Sequence, residues 1–375
     1  MRSPRFLLAL AFVAFTGTLV LGGSAVGPAR PSSVADIPDK LSDQEFWRLT
    51  EDLSEPDGTF RSDNVLSNEM VFARLLPEVL ARTKPGGVYM GVGPEQNFTY
   101  IVAMRARIAF ITDIRRNNLH LLLVYKALFE MSADRAEFLS RLFNRRRPAG
   151  LSKTSSIAEL MNAYWGTDTA NEAAYAANLS AIQAHLTGKH GFPISKADLD
   201  GIALAYRAFH WYGPRMNYSA SLSLTPLQGG NAATYFDLMT QTDASGQPLT
   251  YLGTEEKFAY MKDLETRNLI VPVVGNFSGP KAIRAIGAYV RSRGATVAAF
   301  YVSTVEPYLK RDGSFPAFCA NVATLPMDDA SVFIRPGNLT NLVASGAPVA
   351  APDATTPRLG TYQIGVVMPM TTGCR

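Results

Sequence analysis

Residues 86–101, "GGVYMGVGPEQNFTYI", read as a short apolar strand, a glycine turn and the start of a helix. A glycine turn between a strand and a helix lets a ligand approach the backbone closely. The start of the helix adds amide donors and a partial positive charge. The stretch is therefore a candidate ligand-binding loop, with a plain tight turn as the alternative.

The same alternation of elements continues after this turn. "QNFTYIVAMRA" has apolar residues at helical spacing, "IAFITDI" is a buried type of strand, and "NNLHLLLVYKALFEM" predicts a helix with one broad apolar face. Strands and helices joined by short connections indicate a right-handed βαβ unit in a parallel sheet. Further strands are expected at "NLIVPVVGNFSG", "ATVAAFYVST", "SVFIRP" and "YQIGVVMPM".

The two βα blocks flank a stretch that is mostly helical in pattern. We expect N-terminal helices and the first half of the sheet in residues 41–131, a helical insertion in 132–267 and the second half of the sheet in 268–375. Residues 26–40 are rich in Pro, Ser and Ala and are predicted to form a linker.

The N-terminal segment has the three-part layout of a secretory signal. Arg2 and Arg5 precede an apolar run, and small residues end it near Ala25. We therefore expect residues 1–25 to be a signal peptide and the protein to be exported to the periplasm or the cell exterior. A retained membrane anchor is the alternative, and this segment is then the contact with the membrane.

The composition is that of a globular protein with ample material for a core. Hydrophobic residues make up 47% of the 375 residues, charged residues 18%, and the formal net charge is +4. This charge is too small to imply a nucleic-acid partner, and the basic run "NRRRP" (144–148) has no interleaved aromatics and is expected in a solvated loop.

The chemistry of the loop argues against a dinucleotide. A dinucleotide fingerprint, G-x-G-x-x-G, would place a third glycine where Gln96 stands, and Glu95 puts a carboxylate near a bound pyrophosphate. S-adenosylmethionine has no phosphate and carries cationic groups, so the Glu95 carboxylate would repel it less than it would repel a pyrophosphate. Asp113 ends the second strand, 22 residues after Gly91, where an acidic residue typically accepts hydrogen bonds from ribose hydroxyls.

The pair "VYMGVGPEQNFTYI" and "AFITDIRRNN" resembles the first two motifs of class I S-adenosylmethionine-dependent methyltransferases. The longer strings "LLLVYKALFEMSADRAEFLSRLF" and "VVGNFSGPKAIRAIGAYVRSRGATVAAFYVSTVEPYL" resemble an uncharacterised bacterial family with such a core, over most of residues 40–340. The resemblance implies an α/β fold, a Rossmann-like class I methyltransferase-type sheet with a large helical insertion, and S-adenosylmethionine as the possible cofactor.

The resemblance also assigns cofactor-binding residues. Gly91, Gly93 and Asp113 match the motif positions, and Asn276 in "VVGNFSGP" fits a later strand-end motif loosely. By position in the loop, the expected set further includes Glu95, Gln96 and Asn97. The chain departs from the methyltransferase pattern at Tyr89, where an acidic residue is usual, and at Glu95, which replaces a third glycine.

Four other residues are candidates for binding a substrate. Arg115 and Arg116 follow Asp113 at the ligand edge of the sheet, where they would hold an anion or simply begin a solvated helix. His210 and Tyr212 lie in an aromatic and cationic cluster, which would line a pocket or pack a helix end on the sheet.

The histidines and cysteines bear on metal binding and disulfide formation. His185 and His190 are spaced i, i+5, which suits one face of an α-helix poorly, and no Cys or acidic cluster completes a site, so no metal centre is expected. In an exported protein Cys319 and Cys374 would form a disulfide, and two free thiols are the alternative.

These features favour an exported protein with a methyltransferase-like fold that binds a small-molecule ligand, with methyl transfer to an unknown acceptor as its possible activity. Because S-adenosylmethionine is made in the cytosol, a non-catalytic binding or scaffold protein that lost the cofactor is the alternative. An enzyme acting on another small ligand at the same edge is a third. No catalytic residue is assigned, since methyl transfer needs mainly alignment of the reactants.

Overall fold

The computed structural model describes residues 1, 36–60, 65–67, 69, 72–168, 171–218, 220, 222, 233–338, 363–370 and 374. The predicted signal peptide, apart from residue 1, and most of the predicted linker lie outside these residues. None of the helices in this part of the chain is both long and apolar enough for a membrane span.

The described strands form one sheet in the order β3-β2-β1-β4-β5-β6. The first five are mutually parallel, and β6 pairs antiparallel with β5. The strands are β1 (Val88–Gly91), β2 (Ile108–Asp113), β3 (Ile270–Val274), β4 (Val297–Tyr301), β5 (Val332–Asn338) and β6 (Gln363–Pro369). The α/β class and the parallel sheet are thus confirmed, and each predicted strand is present.

Helices precede the sheet, cover it and fill the predicted insertion. The helices up to β3 are α1 (Asp43–Leu53), α2 (Leu76–Arg82), α3 (Gln96–Ala103), α4 (Arg116–Met131), α5 (Arg135–Leu142), α6 (Ile157–Trp165), α7 (Glu172–Ala184), α8 (Lys196–Tyr212), α9 (Tyr235–Met239) and α10 (Glu255–Thr266). Those after β3 are α11 (Ala282–Ser292), α12 (Val305–Arg311) and α13 (Phe315–Val322). Short 3-10 turns occur at Phe72–Leu75 and Gly213–Arg215, and a π-helical turn at His185–Lys189.

The burial of α4 differs from the sequence prediction. The expected helix has one apolar face, yet every residue from Asn118 to Phe129 is buried. The reason is tertiary, because α8 and α10 of the insertion and strand β3 of the sheet all pack against α4. The insertion therefore extends the core of the sheet rather than forming a separate body.

A strap, residues 54–58, runs across the carboxyl ends of β2 and β3. The Ser54 hydroxyl accepts a hydrogen bond from the Val274 N–H at 3.0 Å, and the Gly58 N–H donates to the Ile114 carbonyl at 2.9 Å. The strap thus adds backbone and side-chain contacts to the edge where ligands of open α/β sheets bind.

Both acidic residues of the strap cap helices that begin at this edge. Glu55 accepts the N–H groups of Lys281 and Ala282 at the start of α11, each at 2.8 Å. Asp57 accepts the Arg116 N–H at the start of α4 at 2.7 Å. Carboxylates there satisfy backbone donors and complement the helix dipoles.

Cys319 on α13 and Cys374 form a disulfide, with their Cα atoms 5.5 Å apart. The sequence left a disulfide and two free thiols as alternatives, and the structure shows the disulfide. It ties the segment after β6 to the helix that packs beside the sheet, across a sequence separation of 55 residues.

We expect Cys374→Ser to lower the free energy of unfolding by about 4 kcal/mol, because a cross-link over such a loop restricts the unfolded chain. Urea denaturation of the oxidised protein measures the change. Dithiothreitol should weaken the wild type by a similar amount and leave the variant unchanged. Equal stability of the oxidised wild type and the variant would contradict this prediction.

Candidate functional site

A cavity of about 360 Å³ opens at the carboxyl edge of the sheet, where the chain leaves β1, β2, β3 and β4. The strand order reverses between β1 and β4, so this is the switch point at which doubly wound sheets bind ligands. Its polar lining comprises Thr59, Ser67, Gln96, Asp113, Arg115, Asn276, Ser303, Thr304, Arg311, Asp312 and Ser314. Its aromatic lining comprises Phe60, Tyr218, Phe277, Tyr301 and Tyr308.

The loop between β1 and α3 is held in shape by one buried side chain. The amide nitrogen of Asn97 donates to the carbonyls of Val92, Gly93 and Pro94 at 3.0, 3.3 and 2.7 Å. Its amide oxygen accepts the Tyr89 hydroxyl at 2.8 Å. Asn97 is fully buried, so it supports the loop from behind and lies outside the lining of the cavity.

The two matched glycines have different roles in this loop. A Cβ on Gly91 would lie 1.9 Å from Asn97 Oδ1, so glycine makes room for the supporting amide. Gly93 has a φ of +79° and lines the cavity, as the close-approach interpretation predicts. Gln96 also lines the cavity, and its Oε1 has no hydrogen-bond partner among the described residues.

Glu95 does not face the cavity, contrary to the sequence expectation. It is fully buried behind the loop, close enough to the core tyrosines Tyr125, Tyr235 and Tyr251 to affect their ionisation. Burial raises the pKa of the Glu95 carboxyl to about 8, and neither of its oxygens has a hydrogen-bond partner among the described residues. The carboxyl is therefore largely neutral at pH 7 and presents no charge to a ligand.

Asp113 lies at the end of β2 and is paired with a residue that was expected to bind substrate. The Arg115 N–H and Nε donate to Asp113 Oδ1 at 2.9 and 3.0 Å, and an Arg115 terminal nitrogen donates to Oδ2 at 3.0 Å. Both side chains are buried and line the cavity. A carboxylate offers about four acceptor positions, so within the described part of the chain these three bonds leave one, on Oδ2.

A buried carboxyl lies next to this cavity and had no counterpart in the sequence analysis. Glu69 accepts the Ser303 hydroxyl at 2.8 Å, and Ser303 lines the cavity just after β4 with a φ of +45°. Burial raises the pKa of Glu69 above its usual range, although the hydrogen bond from Ser303 lowers it in part. Because Glu69 and Ser303 are 234 residues apart, no local pattern signals their contact.

The remaining predicted residues are divided between the cavity and the insertion. Asn276 follows β3 and lines the cavity, and its Oδ1 accepts the Ser278 N–H at 3.0 Å. Arg116, His210 and Tyr212 lie outside the lining. Arg116 pairs with Asp198 of α8, and buried His210 contacts Asn144 at 3.0 Å, because the insertion packs α8 against α4.

The chain is thus an α/β protein whose parallel sheet is compatible with a Rossmann-like fold and carries a cavity at its switch point. The chain belongs to the family described as a domain of unknown function (DUF7790), which matches residues 65–350. No curated protein matches the chain.

We expect the free energy of unfolding to fall less steeply with rising pH in Glu95→Gln than in the wild type. Between pH 4.5 and 8 the unfolded chain has released a proton that folded Glu95 still holds, so stability falls as pH rises. The cost at pH 7 is at most about 3 kcal/mol. Urea denaturation at pH 5, 6, 7 and 8 measures the slope.

The exposed residue Glu256, 77% exposed in its side chain, provides the matched control Glu256→Gln. We expect this control to keep the wild-type slope. Burial also raises the pKa of Glu265 to about 8. The contribution of Glu265 to the pH dependence of stability therefore remains in both variants. A Glu95→Gln slope equal to that of the wild type would rule out a neutral, buried Glu95.

Proposed function

We propose that the cavity binds S-adenosylmethionine, or a nucleoside-like ligand of similar shape, and that the protein transfers methyl groups to an acceptor. One observation carries the proposal. Gly93 of the glycine turn, Asp113 after β2 and Asn276 after β3 line a single cavity at the switch point. Its volume of about 360 Å³ falls within the range of about 300–1,000 Å³ that is usual for small-molecule sites.

The strand order supports the finer fold assignment. An all-parallel dinucleotide-binding sheet has the order 3-2-1-4-5-6, whereas the sixth strand here is reversed beside β5. This departure from the dinucleotide-binding sheet, together with the motif resemblance, favours the methyltransferase-type core over a dinucleotide-binding one.

The charges at the strand edge favour a ligand without phosphate. A phosphate binds well at a helix N-terminus, yet Glu55 already occupies the start of α11 and Asp57 the start of α4. A phosphate brought to either position would meet a carboxylate. The aromatic rings in the lining suit the base of a nucleoside, which stacks on such surfaces.

In this proposal the turn at Gly93 seats the methionine part and the free acceptor position on Asp113 Oδ2 takes a ribose hydroxyl. Arg115 then acts as a positioning residue, because its three hydrogen bonds fix the Asp113 carboxylate. Tyr218, which belongs to the helical insertion, lines the cavity and would lie next to the methyl acceptor. Alignment supplies most of such catalysis, and no catalytic residue is assigned.

The second candidate is an exported binding protein that kept the fold and lost the cofactor. The Cys319–Cys374 disulfide favours it, since such bonds persist in oxidising compartments and agree with the predicted signal peptide or anchor. S-adenosylmethionine is supplied in the cytosol. The Asp113–Arg115 pair also favours this candidate, because it satisfies the acidic residue without any ligand.

Calorimetric titration of the mature protein with S-adenosylmethionine and S-adenosylhomocysteine tests the first proposal without knowledge of the acceptor. We expect the wild type to bind and Asp113→Asn to bind at least tenfold more weakly, because a hydrogen bond to a carboxylate is lost. The matched control is Asp134→Asn, which changes a similar aspartate–arginine pair with Arg147. Asn also caps α5 well, so this control should fold.

The absence of heat at millimolar ligand would exclude the cofactor and leave the binding protein as the better account. Equal affinity in the wild type and in Asp113→Asn would place the ligand elsewhere. A fusion reporter for export separates the two candidates further, because a cytosolic product would restore the supply of cofactor.

A further inference from the structure

A second polar cluster lies at the end of α4, where three potential metal ligands meet. Among the described residues, Glu130, His185 and His190 form a group whose ligand atoms all lie within 4.8 Å of one another. Glu130 Oε2 lies 2.8 Å from His185 Nε2 and 2.7 Å from His190 Nε2. The Glu130 and His190 side chains are only 1% and 5% exposed, and that of His185 is 13% exposed.

The spacing argument against these two histidines fails because the chain between them is not α-helical. His185–Lys189 form a π-helical turn, and the His190 N–H donates to the His185 carbonyl at 3.2 Å. The wider turn brings residues five apart to the same side, so that both imidazoles reach Glu130. Single π-helical turns of this kind occur frequently at functional sites.

The hydrogen bonds of His190 require a proton or a metal ion between His190 and Glu130. His190 Nδ1 lies 2.7 Å from Asp43 Oδ1, and since a carboxylate only accepts, Nδ1 carries the proton. In the neutral ring Nε2 then presents a lone pair to the Glu130 oxygen at 2.7 Å. Two acceptors at that distance repel each other unless a proton or a metal ion lies between them.

Two lysines complete the surroundings, and they differ in mobility. Lys126, with a side chain only 2% exposed, holds Glu130 Oε1 at 2.8 Å and leaves Oε2 directed at the histidines. The Lys189 ammonium lies 2.9 Å from Glu130 Oε2 and 3.4 Å from His185 Nε2. Its side chain is 56% exposed, so it can swing into solvent and yield its position to another cation.

We propose that Glu130, His185 and His190 form a binding site for a first-row divalent metal ion of the zinc type, which displaces Lys189. Two imidazoles and one carboxylate, with a fourth position open to water, are a donor set that suits this ion. The Asp43–His190 contact supplies the carboxylate that orients a ligating imidazole.

The present contacts are shorter than a bound ion requires. Zinc–ligand bonds of about 2.0–2.1 Å hold neighbouring ligand atoms about 3.3 Å apart in a tetrahedron. Glu130 Oε2 therefore has to move about half an ångström away from each imidazole nitrogen. The site joins α1, α4 and the π-helical turn, so an ion here would tie the insertion to the body of the protein.

This proposal is tested by calorimetric titration of the untagged, EDTA-dialysed protein with zinc at pH 7.5. Mg²⁺ is the control ion, because imidazole ligands do not favour it. We expect one zinc ion to bind per chain. His185→Gln should raise the dissociation constant for zinc at least tenfold, since one of three ligands is lost. Lys189→Ala should lower this constant severalfold, because a competing cation is removed.

The matched control is His210→Gln, a histidine outside the cluster that should leave zinc affinity unchanged. Lys189→Ala changes an exposed side chain, so this variant should fold. It therefore tests the proposal even where a ligand variant fails to fold. Absence of zinc binding in both the wild type and Lys189→Ala would overturn the proposal, and the cluster would then be held by protons and lysines alone. Equal affinity in the wild type and in folded His185→Gln would overturn it as well.

Discussion

The cavity depends on the buried amide of Asn97. One side chain bonds three consecutive carbonyls of the β1–α3 loop and the hydroxyl of Tyr89, so it fixes where the chain turns away from the sheet. This arrangement requires glycine at position 91, where any Cβ would overlap the amide oxygen. Tyr89, at which the chain departs from the methyltransferase pattern, is therefore part of the loop's internal support.

The acidic side chains at this edge present little free charge to a ligand. Glu55 and Asp57 cap two helices from the strap, Asp113 is paired with Arg115, and Glu95 is buried and largely neutral. Arg311 and Asp312, which also line the cavity, pair with each other. An uncharged nucleoside moiety suits such a site better than a phosphate, and this preference follows from residues that no ligand motif contains.

The sequence predicted those features that depend on local pattern. Buried apolar runs located all six strands, and the glycine turn with Asp113 pointed to the edge of the sheet at which the cavity opens, because strand ends and tight turns are set by neighbouring residues. Contacts between distant segments were not predictable in this way. The strap reaches Ala282 across 227 residues, and Glu69 reaches Ser303 across 234.

At two places the local geometry differs from what the sequence spacing indicated. Glu95 was expected in the site from its position in the loop, yet this residue is fully buried and lies outside the lining of the cavity. His185 and His190 were judged by α-helical spacing, whereas a π-helical turn joins them.

The central claim is that a nucleoside-like ligand occupies the cavity between the Gly93 turn and Asp113. A crystal structure of the protein with S-adenosylhomocysteine at millimolar concentration tests it most directly. The account predicts ligand density in this cavity, with a ribose hydroxyl within about 3 Å of Asp113 Oδ2 and the Asp113–Arg115 pair intact. A cavity that holds only solvent under these conditions, or ligand density elsewhere on the molecule, would contradict the account.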